Sequence, residues 1–494
     1  MTTKVFRIKL RSVLFPFTSE VPMSPIKTEE DWRWPKNGQN EVDPQDSISN
    51  IADLYHSEKP PVCYPGSYLD FDPEAQKVIL DVLQKNPNLI GTHTHFITMN
   101  GARVPKKGEG GFEATQQLEA RVIWMIGGMV GGTPETIDGL FCGGGTEANL
   151  QGMYIGRNWL RSNCLDPHQK GIVILTTPLI HYSVIKNADI LNIGNGKFER
   201  CMACGNLHRF ESDPSGTGVT FVGMNDSFEM DMGDLKRVFA DKYAQGFRRF
   251  MIVPTVGTTD AGSIDPVADI SQFIDEVHTT SEARVYMHVD ASFGGFTVPF
   301  VNPDLHIGFE NRHVMSMTLD GDKMGQLPYP AGVFLCRKGL TDYIAREVSY
   351  VEGNQDDSVS GSRTALPAAL AWHQFKKNGT EGQRRHVQAC LDARNALAHK
   401  LKTELGDYVG VMPYSPWINL LPIKMRAIGS PITQHLKEGG LLAPFQMRKD
   451  FIPHEPLNIM SCPDTVYKLC IMPHLLGTGT LDTFVELLKQ TLRS

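Results

Sequence analysis

Three consecutive glycines stand at the start of a helical pattern, in the stretch GGGTEAN at residues 143–149. Glycine lets the backbone come close to an anion, and the first turn of a helix presents free N–H groups and a positive dipole. We therefore expect Gly144, Gly145 and Thr146 to hold a phosphate group, with the threonine hydroxyl as an additional donor. The stretch has neither the lysine of a P-loop nor GxGxxG spacing, and a glycine turn before a helix is also a common structural feature.

Three other side chains each stand at the end of a short apolar run of the strand type. His181 follows GIVILTT, Asp290 lies at the end of VYMHVDA, and Lys323 follows VMSMTL. A buried carboxylate needs a cationic partner, a lysine in a partly desolvated site can lose its proton and attack a carbonyl, and a neutral imidazole can stack on a flat ring. Taken singly, each residue also fits a structural role, as a helix cap or a loop side chain.

Together, the four features match the parts of pyridoxal phosphate, which has a phosphate, an aromatic ring, a ring nitrogen and an aldehyde. In chain order they offer a phosphate cradle, a stacking ring, a carboxylate and an amine. A carboxylate beside the ring nitrogen favours the protonated ring, which accepts electrons from a neighbouring carbon. This prediction requires all four to lie at one edge of the same sheet, where α/β folds bind their ligands.

The elements that must position these residues are short strands buried on both faces. Two further apolar runs, FMIVPTV at 250–256 and GVFLC at 332–336, have the same character as the three above. Such strands are typical of a mostly parallel sheet. Helical patterns lie between them, for example at 115–126, 232–244 and 267–277. The sequence therefore predicts an α/β protein.

The pattern divides the chain into three parts. Residues 1–75 include a stretch rich in proline and polar residues, and we expect them to form an N-terminal arm. Residues 76–365 carry the alternating strands and helices of a large cofactor-binding domain. Residues 366–494 begin with long helices, continue with separated strands and end with an amphipathic helix, which predicts a smaller α+β domain.

Composition excludes several classes of protein. The 48 basic and 55 acidic residues give a net charge of −7, which argues against a nucleic-acid partner. The apolar runs are far shorter than the roughly 20 residues of a membrane helix, so no membrane span is predicted. Nine cysteines in a long chain indicate a reduced protein, and we expect it to be cytoplasmic. The first 19 residues are basic and free of acids, so organelle targeting stays open.

The sequence resembles the group II pyridoxal-phosphate-dependent amino-acid decarboxylases of fold type I. Within them it most resembles the branch of bacterial histidine decarboxylases and plant serine decarboxylases. The resemblance covers about residues 115–375, and KLCIMPHLL at 468–476 also fits. It implies a seven-stranded sheet, pyridoxal phosphate as the cofactor, and a homodimer with the active site at the subunit interface. The stretches that carry it are GGGTEANLQGMYIGRNW, HYSVIKNADIL, PTVGTTDAGSIDPV, HVDASFGGFTVPF, LDGDKMGQLPYPAGVFL and SVSGSR.

The resemblance also implies a role for each candidate residue. Lys323 would bind the cofactor's aldehyde covalently, Asp290 would pair with the ring nitrogen, and His181 would stack on one ring face. Ser292 would lie near the other face, and Thr255 near the ring oxygen or the substrate carboxylate. The residues implied to hold the phosphate are Gly144, Gly145 and Thr146.

Two loop regions receive roles by the same resemblance. Ser360 and Ser362 would complete the cofactor site of the neighbouring subunit. Tyr350, which precedes a polar segment with two glycines, would donate the proton to Cα after the carboxylate leaves. His181 is the competing donor, and a tyrosine packed at a helix end is the structural alternative.

One position departs from the family pattern. Family members usually have a histidine immediately before the lysine, often touching the phosphate, whereas this chain has Asp322. A carboxylate beside a dianionic phosphate is unfavourable. The side chain points away, a cation elsewhere compensates, or the activity is altered.

Two other groups of residues could bind a metal. His93 and His95 would share one face of an extended segment, but no third ligand is evident. Cys201 and Cys204 are followed by His208, again without a clear fourth ligand. We therefore expect no metal, and a surface insertion with free thiols at the second group.

The function predicted from the sequence is the decarboxylation of an L-amino acid to its amine and carbon dioxide. One rival is a pyridoxal-phosphate lyase or an oxidative, aldehyde-forming enzyme on the same fold. A second is a catalytically weak relative that keeps the fold, as Asp322 suggests. A third is an α/β protein that does not bind pyridoxal phosphate. The sequence does not identify the amino acid.

Overall fold

A computed structural model describes residues 113–168, 170–194, 216–347, 349, 355–425 and 465–493, with short stretches at 91–92, 197–200, 207–211 and 445–446 and scattered residues between 73 and 80. All of them belong to one compact unit, Pro61–Ser494. The predicted arm lies almost wholly outside the described residues. Tyr350, His93, His95, Cys201 and Cys204 also lie outside them, and of His208 only the backbone is described.

The strands of the described chain are numbered in chain order. They are β1 (Gly91–Thr92), β2 (Ile137–Cys142), β3 (Ile172–Thr176), β4 (Lys197–Arg200), β5 (Leu207–Glu211), β6 (Gly218–Phe221), β7 (Arg249–Ile252), β8 (Arg284–Asp290), β9 (Val314–Asp320), β10 (Gly332–Arg337), β11 (Arg346–Glu347), β12 (Gln355–Asp356), β13 (Arg363–Thr364), β14 (Val409–Val411), β15 (Leu420–Met425), β16 (Phe445–Gln446) and β17 (Thr465–Cys470).

The helices include those predicted from periodic segments. They are α1 (Glu113–Met129), α2 (Gly145–Asn163), α3 (Tyr182–Ile190), α4 (Met232–Ala244), α5 (Val267–Thr280), α6 (Val298–Val301), α7 (Leu366–Leu405) and α8 (Thr480–Arg493). Helix α7 is interrupted at Gly379, whose φ of 60° is left-handed and favours glycine, so the long helices predicted at the start of residues 366–494 meet at this residue. In the part of the chain that the structure describes, no helix is both long and apolar enough to cross a membrane.

A seven-stranded sheet forms the centre of the molecule, in the order β2-β10-β9-β8-β7-β3-β6. The pairs from β9 to β6 are parallel, and β10 runs antiparallel to both of its neighbours. The predicted fold, a mostly parallel α/β sheet, is therefore confirmed. Strands β2, β3, β7, β8 and β9 all point their carboxyl ends to the same edge, which is the edge where the candidate residues follow.

Helices cover the sheet on both faces. In β3, Val173 and Leu175 belong to an apolar cluster shared with α1, α4, α5 and the start of α7, whereas Ile172 and Ile174 belong to a second cluster shared with α2 and α3. Alternate residues of a strand point to opposite faces, so a strand that is apolar throughout can serve both clusters. All five residues of β3 are buried.

The C-terminal part contains a separate sheet of four strands in the order β14-β15-β17-β16, with antiparallel pairing. Its apolar cluster joins β14, β15 and β17 to the second half of α7 and to α8, through residues such as Leu401, Ile423 and Leu488. Arg394 of α7 is buried beside it and donates to the carbonyl oxygens of Ser415 and Pro416. This arrangement has the α+β character that the sequence predicted for residues 366–494.

Candidate active site

A cavity of about 580 Å³ opens at the carboxyl edge of the large sheet. Its wall is formed by residues at the ends of five strands, β2, β3, β7, β8 and β9, or directly after them. The predicted residues that line it are Gly144, Gly145, Thr146, His181, Thr255, Asp290, Ser292 and Lys323. The structure therefore brings the predicted phosphate cradle, ring, carboxylate and amine together.

The glycine turn closes one end of the cavity. Gly144 is the N-cap of α2, and the carbonyl of Gly144 accepts the N–H of Glu147 and Ala148. A Cβ at Gly332 would lie 2.4 Å from the backbone of Gly144, so glycine at 332 allows β10 to pass close under the turn. Gly145 is equally crowded, because a Cβ there would lie 2.8 Å from the Ser292 hydroxyl oxygen. The turn has the local shape of a phosphate cradle, but one of its amides is already engaged: Gly145 donates to Asp320 Oδ1 at 3.1 Å.

Asp290 is buried and has several donors. Asn149 Nδ2 lies 2.9 Å from its Oδ2, and the Ser292 hydroxyl lies 2.7 Å from its Oδ1. Burial alone would raise the pKa of Asp290, but His181, the two hydrogen bonds and Lys323 outweigh it and lower the pKa. Asp290 is therefore an anion across the neutral pH range, as a partner for a protonated ring nitrogen must be.

His181 serves two purposes. It is the N-cap of α3, where its Nδ1 accepts the backbone N–H of Ser183, and it also lines the cavity. Burial lowers the pKa of His181 to about 4, with Asp290 opposing and Lys323 reinforcing the shift. The imidazole is thus neutral at neutral pH and can stack on a flat ring. The helix cap and the predicted stacking role are therefore compatible.

Lys323 lies one short turn beyond β9, with its Nζ 4.2 Å from the centre of the Phe293 ring and 3.1 Å from Asp320 Oδ2. Burial by itself would lower the pKa of Lys323, but Asp320, Asp322 and Asp290 raise it above the usual value. The carboxylates around Lys323 therefore stabilise its ammonium form, whereas burial alone would favour the easily deprotonated amine expected from the sequence.

The remaining predicted residues are placed less directly. Thr255 is buried, and its hydroxyl oxygen has no hydrogen-bond partner among the described residues, so it is free to bind a ligand in the cavity. Neither Ser360 nor Ser362 lines the cavity of its own chain. Ser360 is nevertheless close to it, because its hydroxyl donates a hydrogen bond to Glu147, which does line the cavity. Among the described residues no cluster of three or more metal-ligating side chains is present.

A buried chain of hydrogen bonds behind Asp290 was not predicted. Tyr286 donates to Ser316 at 2.9 Å, Ser316 lies 2.7 Å from His288 Nδ1, and His288 Nε2 lies 2.9 Å from Asn149 Oδ1. Asn149 Nδ2 must donate to the Asp290 carboxylate, so its oxygen must accept, and His288 must carry its proton on Nε2. Every donor in the chain then points toward Asp290.

The signal for this network was present in the sequence. Tyr286, His288 and Asp290 alternate along β8 and share one face. The facing helix α2 has glycines opposite two of them, since a Cβ at Gly152 would meet the His288 ring and one at Gly156 would meet the Tyr286 ring. Polar residues at every second position of a buried strand, facing a helix with glycines four residues apart, indicate a packed polar layer rather than a purely apolar core.

The burial of His288 predicts how the stability of the protein changes with pH. Burial lowers its pKa to about 4, so between pH 4 and 6.5 the unfolded chain binds the proton and the folded chain does not. This group therefore costs stability as the pH falls. Glutamine can keep both hydrogen bonds but cannot titrate. We therefore expect His288→Gln to have the parent's free energy of unfolding at pH 7 and a value about 2 kcal/mol higher than the parent's at pH 5. Urea unfolding at both pH values tests this, and an equal loss of stability in the two proteins would contradict it.

Comparison with known proteins decides the family. The sequence model of one protein family, the pyridoxal-dependent decarboxylase conserved domain, matches residues 113–409 of this chain. The chain belongs to this family. Pyridoxal phosphate is the cofactor of the family, and amino-acid decarboxylation is its reaction.

Two curated relatives and one solved structure illustrate the similarity. A tryptophan decarboxylase of Clostridium sporogenes is 29% identical over 71% of this chain and 76% of its own length. A probable L-aspartate decarboxylase of Archaeoglobus fulgidus is 29% identical over 64% of this chain and 73% of its own. The glutamate decarboxylase of Lactobacillus brevis has the same fold, with a TM-score of 0.68 over 94% of this chain and 97% of its own, at 18% identity. The narrower resemblance to histidine and serine decarboxylases is not supported by these relatives.

The site residues of this pyridoxal-dependent decarboxylase fit the ring of the cofactor. Asp290 supplies an anion, His181 a neutral ring, Lys323 an amine, and Thr255 a free buried hydroxyl, all on one cavity. The glycine turn fits a phosphate in shape. In charge the wall beside the turn is acidic, because Asp320 accepts the Gly145 amide and Asp322 also lines the cavity.

Proposed function

We propose that the chain converts an L-amino acid to its amine and carbon dioxide, with Lys323, Asp290 and His181 acting on the cofactor and substrate. The observation that supports this assignment is that these three side chains, carried on three different strand ends, line one cavity beside the glycine turn. When bound, pyridoxal phosphate supplies an aldehyde that links to amines and a protonated ring that accepts the electrons of the broken bond.

The chain supplies binding, orientation and proton control. Asp290 is held ionised by Asn149 and Ser292, so its carboxylate would keep the proton on the ring nitrogen. His181 would cover one face of the ring as a neutral imidazole. Lys323 would hold the cofactor in the cavity and must give up the proton that Asp320 now stabilises.

The first test is a survey of substrates. Carbon dioxide release would be measured with each of the twenty amino acids and added cofactor, and the organic product identified by mass spectrometry. An amine formed together with carbon dioxide supports the proposal. An aldehyde, with or without peroxide, favours the oxidative rival, whereas a coloured protein without turnover favours a catalytically silent relative.

Tyr350 is proposed as the acid that protonates Cα. The tyrosine belongs to a segment whose polar residues and glycines suit a loop that closes over substrate. We expect Tyr350→Phe to keep the spectral change on adding substrate but to lose amine formation at least about 10²-fold, with some aldehyde appearing. Tyr343→Phe is the matched control, because Tyr343 is half-buried outside the cavity lining and its hydroxyl accepts a hydrogen bond from Asn163 Nδ2 at 2.9 Å, so amine formation should not change. Amine formation at the parent rate in Tyr350→Phe would transfer the role to His181 or Lys323.

We also propose a homodimer in which Ser360 and Ser362 reach the partner's cofactor. Three large side chains at the mouth of the cavity, Tyr182, Ile190 and Tyr329, are more than half exposed, which is typical of a surface that another chain covers. Sedimentation with and without cofactor tests the proposal. Monomers that bind the cofactor as tightly as dimers would contradict it.

A further inference from the structure

Two buried carboxyl groups on one turn of chain line the cavity, and one of them contacts the glycine turn. Asp320 is the last residue of β9 and is 6% exposed, and Asp322 is 2% exposed. Asp320 uses both oxygens, one toward the Gly145 amide and one toward the Lys323 ammonium group, at 3.1 Å each. The cradle amide that a phosphate would use is therefore held by a carboxyl group.

Asp322 has no donor of its own. Neither of its side-chain oxygens has a hydrogen-bond partner among the described residues, although the side chain is buried and lines the cavity. An ionised carboxylate in this position is costly, because burial removes water and nothing replaces it. A proton on Asp320 would relieve the cost, since a protonated carboxyl can donate a hydrogen bond to an ionised one. Burial, opposed by Lys323 and reinforced by Asp322, raises the pKa of Asp320 to about 7.

The other charged groups around this pair do not neutralise it. Asp290 faces it from β8, and Glu147 lines the same cavity from α2. Lys323 and Lys186 are the cations among the described residues that line the cavity. The neighbours that contribute little net charge are neutral His181, neutral Cys142 and the pair formed by Lys468 and Asp260 at 3.8 Å. Four carboxyl groups thus face two ammonium groups before a phosphate with up to two negative charges enters.

We propose that the Asp320–Asp322 pair takes up one proton from solvent when the phosphate of the cofactor binds, so that one carboxyl donates a hydrogen bond to the phosphate. This inference rests on the proposed function, because it assumes that pyridoxal phosphate binds in this cavity. The proton adds to a carboxylate oxygen, and no other bond is made or broken at the pair. Each proton taken up on binding weakens affinity tenfold per pH unit above the pKa of the free pair. Asp322, which stands where family members usually have histidine, then makes the affinity for the cofactor depend on pH.

Proton uptake is measured directly by isothermal titration calorimetry. Full-length protein freed of cofactor is titrated with pyridoxal phosphate at pH 8 in buffers of different ionisation enthalpy, and the dissociation constant is followed by visible absorption from pH 6.5 to 8.5. We expect the parent to take up about one proton more than Asp322→Asn. The dissociation constant of the parent should rise about tenfold per pH unit more steeply than that of the variant.

Two further variants make the test specific. Asp320→Asn should lose the same proton, which keeps the test valid if Asp322→Asn fails to fold. Glu147→Gln removes a different carboxylate from the cavity wall and should keep the uptake, so it controls for a general loss of negative charge. Equal proton uptake and parallel pH profiles in the parent and Asp322→Asn would overturn the proposal while leaving the proposed function standing. Absence of cofactor binding at every pH would overturn both.

Discussion

Lys323→Ala is expected to lose the visible absorption band of lysine-bound cofactor completely and to lower decarboxylation about 10³-fold or more. The lysine amine is the only described amine near Asp320 and Asp290 in the cavity, where the charges of both carboxylates act on it. Alanine cannot form the covalent link, and it also leaves Asp320 and Asp322 without their nearest cation. Absorption spectra of the parent and the variant after addition of pyridoxal phosphate measure the first effect directly.

Lys186→Ala is the matched control for this prediction. Lys186 also lines the cavity, but it belongs to α3 and its Nζ lies 5.3 Å from the centre of the Tyr182 ring. We expect this variant to keep the visible band. A band retained in Lys323→Ala, or lost only in Lys186→Ala, would show that the covalent link is made elsewhere.

The strands that carry the site could be predicted from the sequence because each is a short, nearly continuous apolar run. GIVILTT, VYMHVDA and VMSMTL became β3, β8 and β9 within a residue or two of their predicted bounds. Strand β2 was not predicted, since Asp138 and Gly139 interrupt its apolar run. Gly139 is required there, because a Cβ would lie 2.3 Å from the carbonyl oxygen of Phe334 in β10.

The types of residue in the site could be predicted from the sequence, but their protonation states could not. Asp290, His181 and Lys323 were identified from their positions after strands, and the structure places all three on the cavity. Asp320 was not identified, although it stands only three positions before Lys323. Its effect depends on which oxygen meets Gly145 and which meets Lys323, and the same contacts raise the lysine pKa that burial alone would lower. Sequence spacing carries no information on such competing charges.

Asp290→Asn is expected to keep the cofactor bound and to slow decarboxylation about 10²- to 10³-fold. The amide has nearly the same size, so the packing under α2 is preserved, but it carries no charge to hold a proton on the ring nitrogen. Its carbonyl oxygen can still accept from Asn149 Nδ2, as Asp290 Oδ2 does at 2.9 Å, and its amide then faces the Ser292 hydroxyl, which can accept. Turnover and cofactor dissociation constants of the parent and the variant separate the chemical effect from loss of binding.

Ser292→Ala provides the graded comparison, because it removes one hydrogen bond to Asp290 at 2.7 Å and leaves the charge in place. One such bond to a charged group contributes about 1.5–3 kcal/mol, so its loss alone slows turnover by about tenfold to a hundredfold at most. If the charge of Asp290 is what matters, Asp290→Asn must be slower than Ser292→Ala, and the difference must persist at saturating cofactor. Near-parent turnover in Asp290→Asn would show instead that Asp290 only anchors Asn149 and the polar layer behind it.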